Sequence, residues 1–183
     1  MKKYLYLVAI AIVSCGAILS SCSDDKVSGD SIFSTKAVER NAFDQWLYKN
    51  YTMPYNIEFQ YRLKTEETEQ AYNFVPADSA KTVKLAILTK YMWFDAYAET
   101  VGLDFIKENA PRIIVVTGTP GYTRYRTEVI GSAEGGYKVR LGKVNALTDE
   151  QLKDYGSMNN YYFHTMHHEF MHILNQKKPY DES

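Results

Sequence analysis

The fold of this chain is decided by the stretch Phe163-His-Thr-Met-His-His-Glu-Phe-Met-His-Ile-Leu-Asn-Gln176. Its apolar residues recur every three or four positions, as on one face of an α-helix. At about 100° per residue, His168 and His172 project from roughly the opposite side, with Glu169 next to them. The pattern predicts a helix over residues 159–176 that buries one face and turns two histidines and a glutamate towards a cleft. The apolar face comprises Phe163, Met166, Phe170, Ile173 and Leu174.

Within this helix, residues 168–172 match the pattern H-E-x-x-H. Two imidazoles four residues apart lie one turn apart on the same face, so both can bind one tetrahedral zinc ion. A glutamate one residue after the first histidine projects beside the metal, where it can take a proton from an activated water molecule. We therefore predict Zn²⁺ as the cofactor, His168 and His172 as its ligands and Glu169 as the general base.

The simplest alternative is that these histidines only face solvent. All four histidines of the chain lie between positions 164 and 172, which makes a chance spacing less improbable. His164 is on the ligand side but about 12 Å along the axis from His172, so one ion cannot easily bind all three. We predict His164, Tyr161 and Tyr162 as cleft or second-shell residues, and His167 as a packed core histidine.

A third zinc ligand is not evident from the sequence, although a catalytic zinc normally has three protein ligands and a water. The positions where an extended H-E-x-x-H motif would place a glycine and a last ligand hold Asn175 and Lys178. The carboxylates downstream are Asp181 and Glu182, directly after Pro179. Our expectation is that the chain is truncated at its C-terminus.

Two further helices are predicted upstream. The first covers residues 35–49, where apolar residues have roughly helical spacing. The second begins at a capping Asp78 or Ser79 and ends at Gly102. Residues 53–61 are expected to be extended.

The middle of the chain predicts a small sheet. Residues 112–117 form a β-branched run after a proline, which is typical of a buried strand. Residues 122–130 and 137–144 flank a glycine-rich segment at 131–136, which predicts a hairpin. Apolar residues alternate with Lys138 and Arg140, which predicts a half-buried strand. Helices, then strands, then a helix indicate an α+β fold, with a mixed or antiparallel sheet packed on the motif helix.

The N-terminus has the pattern of an export signal. Lys2 and Lys3 precede an apolar run over residues 5–18 that is too short to span a bilayer comfortably. Leu19-Ser20-Ser21-Cys22 resembles a bacterial lipobox, after which the lipidated Cys22 would begin the mature chain. We predict a signal peptide over 1–21, a lipidated cysteine and tether over 22–34, and one domain over 35–183.

The lipobox and the motif helix together resemble the substrate import-associated zinc metallohydrolase lipoproteins of Bacteroidetes, a zincin-like family also described as zinc-binding metallopeptidases. The resemblance implies zinc at His168 and His172, catalysis by Glu169 and an outer-membrane lipid anchor, with TonB-dependent importers and nutrient-binding lipoproteins as partners. Ser23-Asp24-Asp25 is similar to the surface-export signal of that group.

Two classes of function follow from this sequence. The first is a zinc hydrolase of the peptidase type that acts on peptides or other amide-containing substrates at the cell surface. The alternative is a non-catalytic lipoprotein that uses a zincin scaffold to bind nutrients or an importer; a purely structural zinc is a third reading. After removal of the signal, 19 basic residues face 22 acidic ones, and this balance argues against nucleic acid as a partner.

Overall fold

The computed structural model describes residues 39–64, 66 and 68–178. The predicted signal peptide, the lipidation site Cys22 and the tether lie outside the described residues, as do Asp181 and Glu182. The chain divides into two compact units, Met1–Glu39 and Arg40–Ser183. All helices and strands of the described residues belong to the second unit.

The first helix, α1, comprises Ala42–Leu47, a π-helical turn at Tyr48–Thr52, and Met53–Tyr55. It begins at Asn41, whose side chain accepts a hydrogen bond from the Asp44 amide at 2.7 Å in a capping box. Helix α1 ends at Tyr55, beyond the predicted end at residue 49. The prediction of extended chain from Met53 was therefore wrong for Met53–Tyr55, because the helix continues until Asn56 takes a left-handed conformation.

Helix α2 comprises Ser79–Thr89, a π-helical segment at Lys90–Asp95, and Ala96–Val101. Both predicted boundaries are confirmed: Asp78 caps the first turn, and Gly102 ends the helix with a φ of 98°. A further helix, α3, follows at once over Leu103–Asn109.

We expect Asp78→Ala to lower the free energy of unfolding by about 1 kcal/mol, because the cap accepts a hydrogen bond from the Lys81 amide at 2.9 Å. Urea unfolding followed by circular dichroism measures this change. Glu99→Ala, on the exposed surface of the same helix, is the control and should leave the midpoint almost unchanged. Equal effects of the two changes would contradict a capping role.

The strands of the described residues form a four-stranded sheet and a separate two-stranded ribbon. They are β1 (Glu58–Gln60), β2 (Ile113–Val116), β3 (Gly121–Tyr122), β4 (Glu128–Val129), β5 (Gly131–Glu134) and β6 (Lys138–Leu141). The sheet has the order β1-β2-β6-β5, in which β1 and β2 are parallel, β2 and β6 are parallel, and β5 and β6 are antiparallel. Strands β3 and β4 form the antiparallel ribbon. This mixed sheet with surrounding helices confirms the α+β class.

A hairpin is present, but its first strand is not the predicted segment 122–130, and its turn is shorter than expected. Residues 131–134 are strand rather than turn, and the reversal is made by Gly135 and Gly136, both left-handed with φ of 58° and 71°. Two consecutive left-handed residues suit the twist of a tight hairpin. Residues 122–130 do not pair with β6; they provide β4 and the end of β3, which pair with each other.

Strand β6 is buried on both faces. Alternation of Lys138 and Arg140 with apolar residues predicted a half-buried strand, but these two side chains are also buried. The reason is that the segment before α2 covers this face, since Arg140 contacts both the Glu69 carboxylate and the Phe74 ring. Lys138 pairs with Glu134 at 2.6 Å, and Arg140 pairs with Glu69 at 2.9 Å.

The last helix, α4, comprises Tyr155–Met158, a π-helical segment at Asn159–Phe163, and His164–Lys177. It starts one turn earlier than predicted, because Asp154 caps it by accepting a hydrogen bond from the Ser157 amide at 2.8 Å.

The predicted apolar stripe of α4 packs into the core. Phe170 is fully buried, and its ring centroid lies 5.6 Å from that of Trp93 and 5.0 Å from that of Tyr97. Both of those aromatic residues belong to α2. This packing fixes which face of α4 is left for the motif. Among residues 39–64, 66 and 68–178, no helix combines the length and apolar character needed to cross a membrane.

Candidate metal centre

His168 and His172 lie side by side on the exposed face of α4. Their Nε2 atoms are 3.0 Å apart, and their rings meet edge to face with centroids 4.6 Å apart. At this separation one Nε2–H donates a hydrogen bond to the other Nε2. Both nitrogens are thus aimed at the same small region of space.

This arrangement fits a zinc ion. With zinc–nitrogen bonds of about 2.0–2.1 Å and a tetrahedral angle, two ligand nitrogens lie about 3.3 Å apart. The 3.0 Å observed between the two Nε2 atoms needs only a small opening of the rings to reach that value. The proton now shared by the two imidazoles would leave on binding, because zinc requires both lone pairs.

Glu169 is the buried member of the motif, with a residue exposure of 9%. Edge strand β5 lies against it: a Cβ built on Gly131 would come within 3.2 Å of the Glu169 Cγ and would overlap the Thr165 methyl group. Glycine at 131 therefore permits the close approach of strand and helix that encloses Glu169.

The pKa of the Glu169 carboxyl is raised above its usual range. Burial is the main cause, and the charges of His168, His172 and Arg140 act in the opposite direction. A carboxylate with a higher pKa accepts a proton more readily, which suits a general base.

Among the described residues, two candidate zinc ligands come together, His168 and His172. No group of three or more His, Cys, Asp or Glu side chains able to hold a metal ion occurs in the described part of the chain. His168 and His172 lie together on one helix face with Glu169 between them in the sequence, and an H-E-x-x-H zinc site formed by them stays a prediction.

Comparison with known proteins assigns the chain to a family. Residues 36–183 match the family described as "Putative zinc-binding metallo-peptidase". The chain belongs to this metallo-peptidase family.

A solved structure is also similar to the chain. It is the crystal structure of a "putative zinc-binding metallo-peptidase" from Bacteroides caccae, with 44% sequence identity and a TM-score of 0.59. The match covers 83% of this chain and 57% of that one, so the chain spans less than two thirds of its neighbour's length. No curated protein matches the chain.

In this metallo-peptidase family member, the predicted cleft residues have different surroundings. His164 is exposed, and its ring stacks near that of His168 with centroids 6.2 Å apart. Tyr161 is half-buried under the Lys143 ammonium, which lies 5.2 Å from the ring centroid. Tyr162 is in the core, where its hydroxyl donates to the Gly142 carbonyl at 2.8 Å.

His167 has the packed role that the sequence predicted. It is half-buried, and its Nδ1 lies 3.3 Å from the hydroxyl of Tyr97. Burial lowers the pKa of its imidazole, and the charge of His164 lowers it further. His167 therefore stays neutral at neutral pH and helps to dock α4 on α2.

Sequence reasoning missed an ion pair near the motif. Glu69 accepts hydrogen bonds from the Arg140 Nε at 2.9 and 3.2 Å and from the Ser132 hydroxyl. Arg140 is 2% exposed, and its guanidinium also lies over the Phe74 ring at 4.6 Å. The charge of Arg140 lowers the pKa of Glu169, and the charge of Glu69 raises it. The alternation along β6 predicted that Arg140 faces solvent. Glu69 lies in a segment without periodicity, so no pattern indicated its role.

Proposed function

We propose that this protein is a zinc-dependent hydrolase that cleaves peptide or similar amide bonds, with His168 and His172 as zinc ligands and Glu169 as the general base. One observation carries the proposal: two exposed Nε2 atoms 3.0 Å apart stand beside a buried glutamate on a helix whose other face is core. Membership of the metallo-peptidase family supports this choice of chemistry.

A zinc ion held by the two histidines would supply Lewis-acid activation of water and of the substrate carbonyl. The chain's own residues then do three things. His168 and His172 would hold the ion in place, since the packing of Phe170 against Trp93 fixes the helix that carries them. Glu169 accepts the proton of the attacking water, helped by its raised pKa. Strand β5, which approaches through Gly131, limits access of bulk water to Glu169.

For the location, we propose a lipid anchor at Cys22 that holds the domain on the outer membrane, where it would work beside a TonB-dependent importer and a nutrient-binding lipoprotein. The support is the lipobox-like sequence Leu19-Ser20-Ser21-Cys22 and the family resemblance. Labelling of cells with radioactive palmitate would test the anchor, and Cys22→Ser should abolish incorporation. Labelling that persists in that variant would contradict it.

A non-catalytic binding protein is the second candidate. Several tyrosine side chains are exposed on the described surface, where they could contact a ligand. The largest exposures belong to Tyr91, Tyr122, Tyr125 and Tyr155, at 60%, 53%, 76% and 66%. A protein of this class would bind ligand and show no turnover.

The first test is the zinc content of the chain, measured by elemental analysis after dialysis. We expect about one zinc per chain in the wild type and almost none in a His168→Ala/His172→Ala double variant, because no ligand of the pair remains. His164→Ala is the matched control and should keep its zinc, since its ring lies outside the pair. Retention of zinc by the double variant would place the metal elsewhere.

A wild-type chain that folds but binds no zinc would favour the binding class. Circular dichroism and thermal unfolding of each variant establish that any loss of zinc is not a loss of fold. The exposure of His168 and His172 makes a large change of stability unexpected.

A further inference from the structure

Strand β5 is an edge strand of the four-stranded sheet. It pairs with β6 on one side, and among the described residues no strand lies on its other side. An edge strand lacks the second row of backbone hydrogen bonds that holds a central strand in place. Its position therefore depends on the side chains that contact its two faces.

One face of β5 lies against the helix that carries the motif. A Cβ built on Gly131 would be 3.2 Å from the Glu169 Cγ and 3.4 Å from its Oε1, and it would overlap the Thr165 methyl group. The Glu169 side chain thus has little room to move towards the strand. A shift of β5 away from α4 would create that room, so the position of the carboxylate depends on the position of the strand.

The opposite face of β5 contacts the segment before α2. Successive side chains of a strand point to opposite faces, so Ser132 is directed away from α4. Its hydroxyl donates a hydrogen bond to the Glu69 carboxylate. Arg140 stands opposite Ser132 in the register of β5 and β6, and its Nε donates to the same carboxylate at 2.9 and 3.2 Å.

The Glu69 carboxylate therefore joins three segments of the chain. Arg140 is 2% exposed and anchors the carboxylate to β6. The hydrogen bond from Ser132 extends this anchor to β5, where the neighbouring Gly131 bounds the Glu169 side chain. A hydrogen bond to a charged group contributes more than one between neutral groups, which suits it to hold an edge strand.

We propose that Glu69 and Ser132 are positioning residues for hydrolysis: their hydrogen bond holds β5 against α4 and so keeps the Glu169 carboxylate in place for the attacking water. This inference rests on the proposed function for the role of Glu169. Both residues act through the strand and not on the substrate. Loss of their hydrogen bond therefore lowers kcat and leaves KM unchanged.

Ser132→Ala is the variant that isolates this hydrogen bond. It removes the hydroxyl but leaves the pair between Glu69 and Arg140, so no buried charge loses its partner. Ser132→Thr keeps a hydroxyl at the same position and is the conservative variant. Ser79→Ala, which removes an exposed hydroxyl from the first turn of α2, is the control.

The first measurement is structural and requires neither zinc nor a substrate. In EDTA, we expect nuclear Overhauser effects from the Gly131 α-protons to the Thr165 methyl group and to the Glu169 γ-protons. Both should weaken in Ser132→Ala, because the strand is no longer held against the helix. Both should keep their wild-type intensity in Ser132→Thr and Ser79→Ala. Unchanged intensities in Ser132→Ala would overturn the proposal.

The second measurement is the hydrolysis of a quenched fluorescent peptide that the wild type cleaves. We expect kcat of Ser132→Ala to fall about tenfold with KM and zinc content unchanged, because a displaced catalytic group slows the chemical step. Ser132→Thr should restore kcat, and Ser79→Ala should leave it at the wild-type value. Thermal unfolding of each variant establishes that a lower kcat is not a smaller fraction of folded protein.

A wild-type kcat in Ser132→Ala would overturn the positioning role, even if the Overhauser effects weakened. An equal loss of kcat in Ser132→Thr would also overturn it, because the hydroxyl is still present there. If the wild type cleaves no peptide, the proposed function fails and the catalytic part of this proposal fails with it. The Overhauser effects would then still decide whether the hydrogen bond holds β5.

Discussion

Glu169→Gln should reduce hydrolysis by about two to four orders of magnitude while zinc content stays at the wild-type level. Glutamine has nearly the shape of glutamate, so it fits the space beside Gly131, but it cannot accept a proton. The rate is measured with a mixture of internally quenched fluorescent peptides, and zinc by elemental analysis of the same samples.

The control for this prediction is Glu99→Gln, an equivalent change on the exposed surface of α2. It should leave the rate unchanged. Hydrolysis by Glu169→Gln at the wild-type rate would refute the role of Glu169 as general base, even if zinc were bound. Loss of hydrolysis together with loss of zinc would instead assign Glu169 to the construction of the metal site.

Glu69→Gln should destabilise the protein by about 3 kcal/mol, because it leaves the guanidinium of Arg140 buried without a counter-charge. Urea unfolding at neutral pH measures the change. Arg62→Met breaks the exposed pair with Asp44 and is the control, with an expected change below about 0.5 kcal/mol. A Glu69→Gln variant as stable as the wild type would contradict a structural role for the pair.

The double variant Glu69→Gln/Arg140→Met tests whether the two side chains act together. It should be more stable than the sum of the single effects predicts, since removal of both charges leaves neither unpaired. The pH dependence gives a second check. Burial raises the pKa of Glu69, but the hydrogen bond from Ser132 and the charge of Arg140 outweigh it and lower the pKa overall.

Because the folded-state pKa of Glu69 is below its unfolded value, its ionised form stabilises the fold above the unfolded pKa. That stabilisation is lost as pH falls through the folded pKa. The difference between the wild type and Glu69→Gln should therefore be largest at neutral pH and shrink in acid. A difference that grew in acid would mean that another group controls the effect.

Long amphipathic segments of this fold were predictable from sequence. The periodicity of α4 and the cap and stop signals of α2 are local properties, so the sequence carries them directly. The turn of the hairpin and the burial of β6 were not predicted correctly. Both depend on contacts with other segments, which the periodicity within one strand does not show.

In the candidate site, too, the local pattern was predictable and the contacts with other segments were not. His168, Glu169 and His172 form a local pattern, and the structure gives them the expected proximity on one helix. The residues of other segments that lie near the motif were not predicted. Gly131 and Glu69 lie near the motif because of the fold of the sheet and of the loop before α2, and nothing in their immediate sequence indicates this.

The π-helical segment at Asn159–Phe163 has a consequence for comparison among relatives. The His164 amide donates to the carbonyl of Asn159, five residues back, so this turn holds one residue more than an ordinary turn. Deleting a residue there would convert it to regular helix and rotate everything upstream by about 100°. A relative whose helix lacked this extra residue would present different side chains upstream of the same histidine motif, and its alignment with this chain would need a gap at this turn.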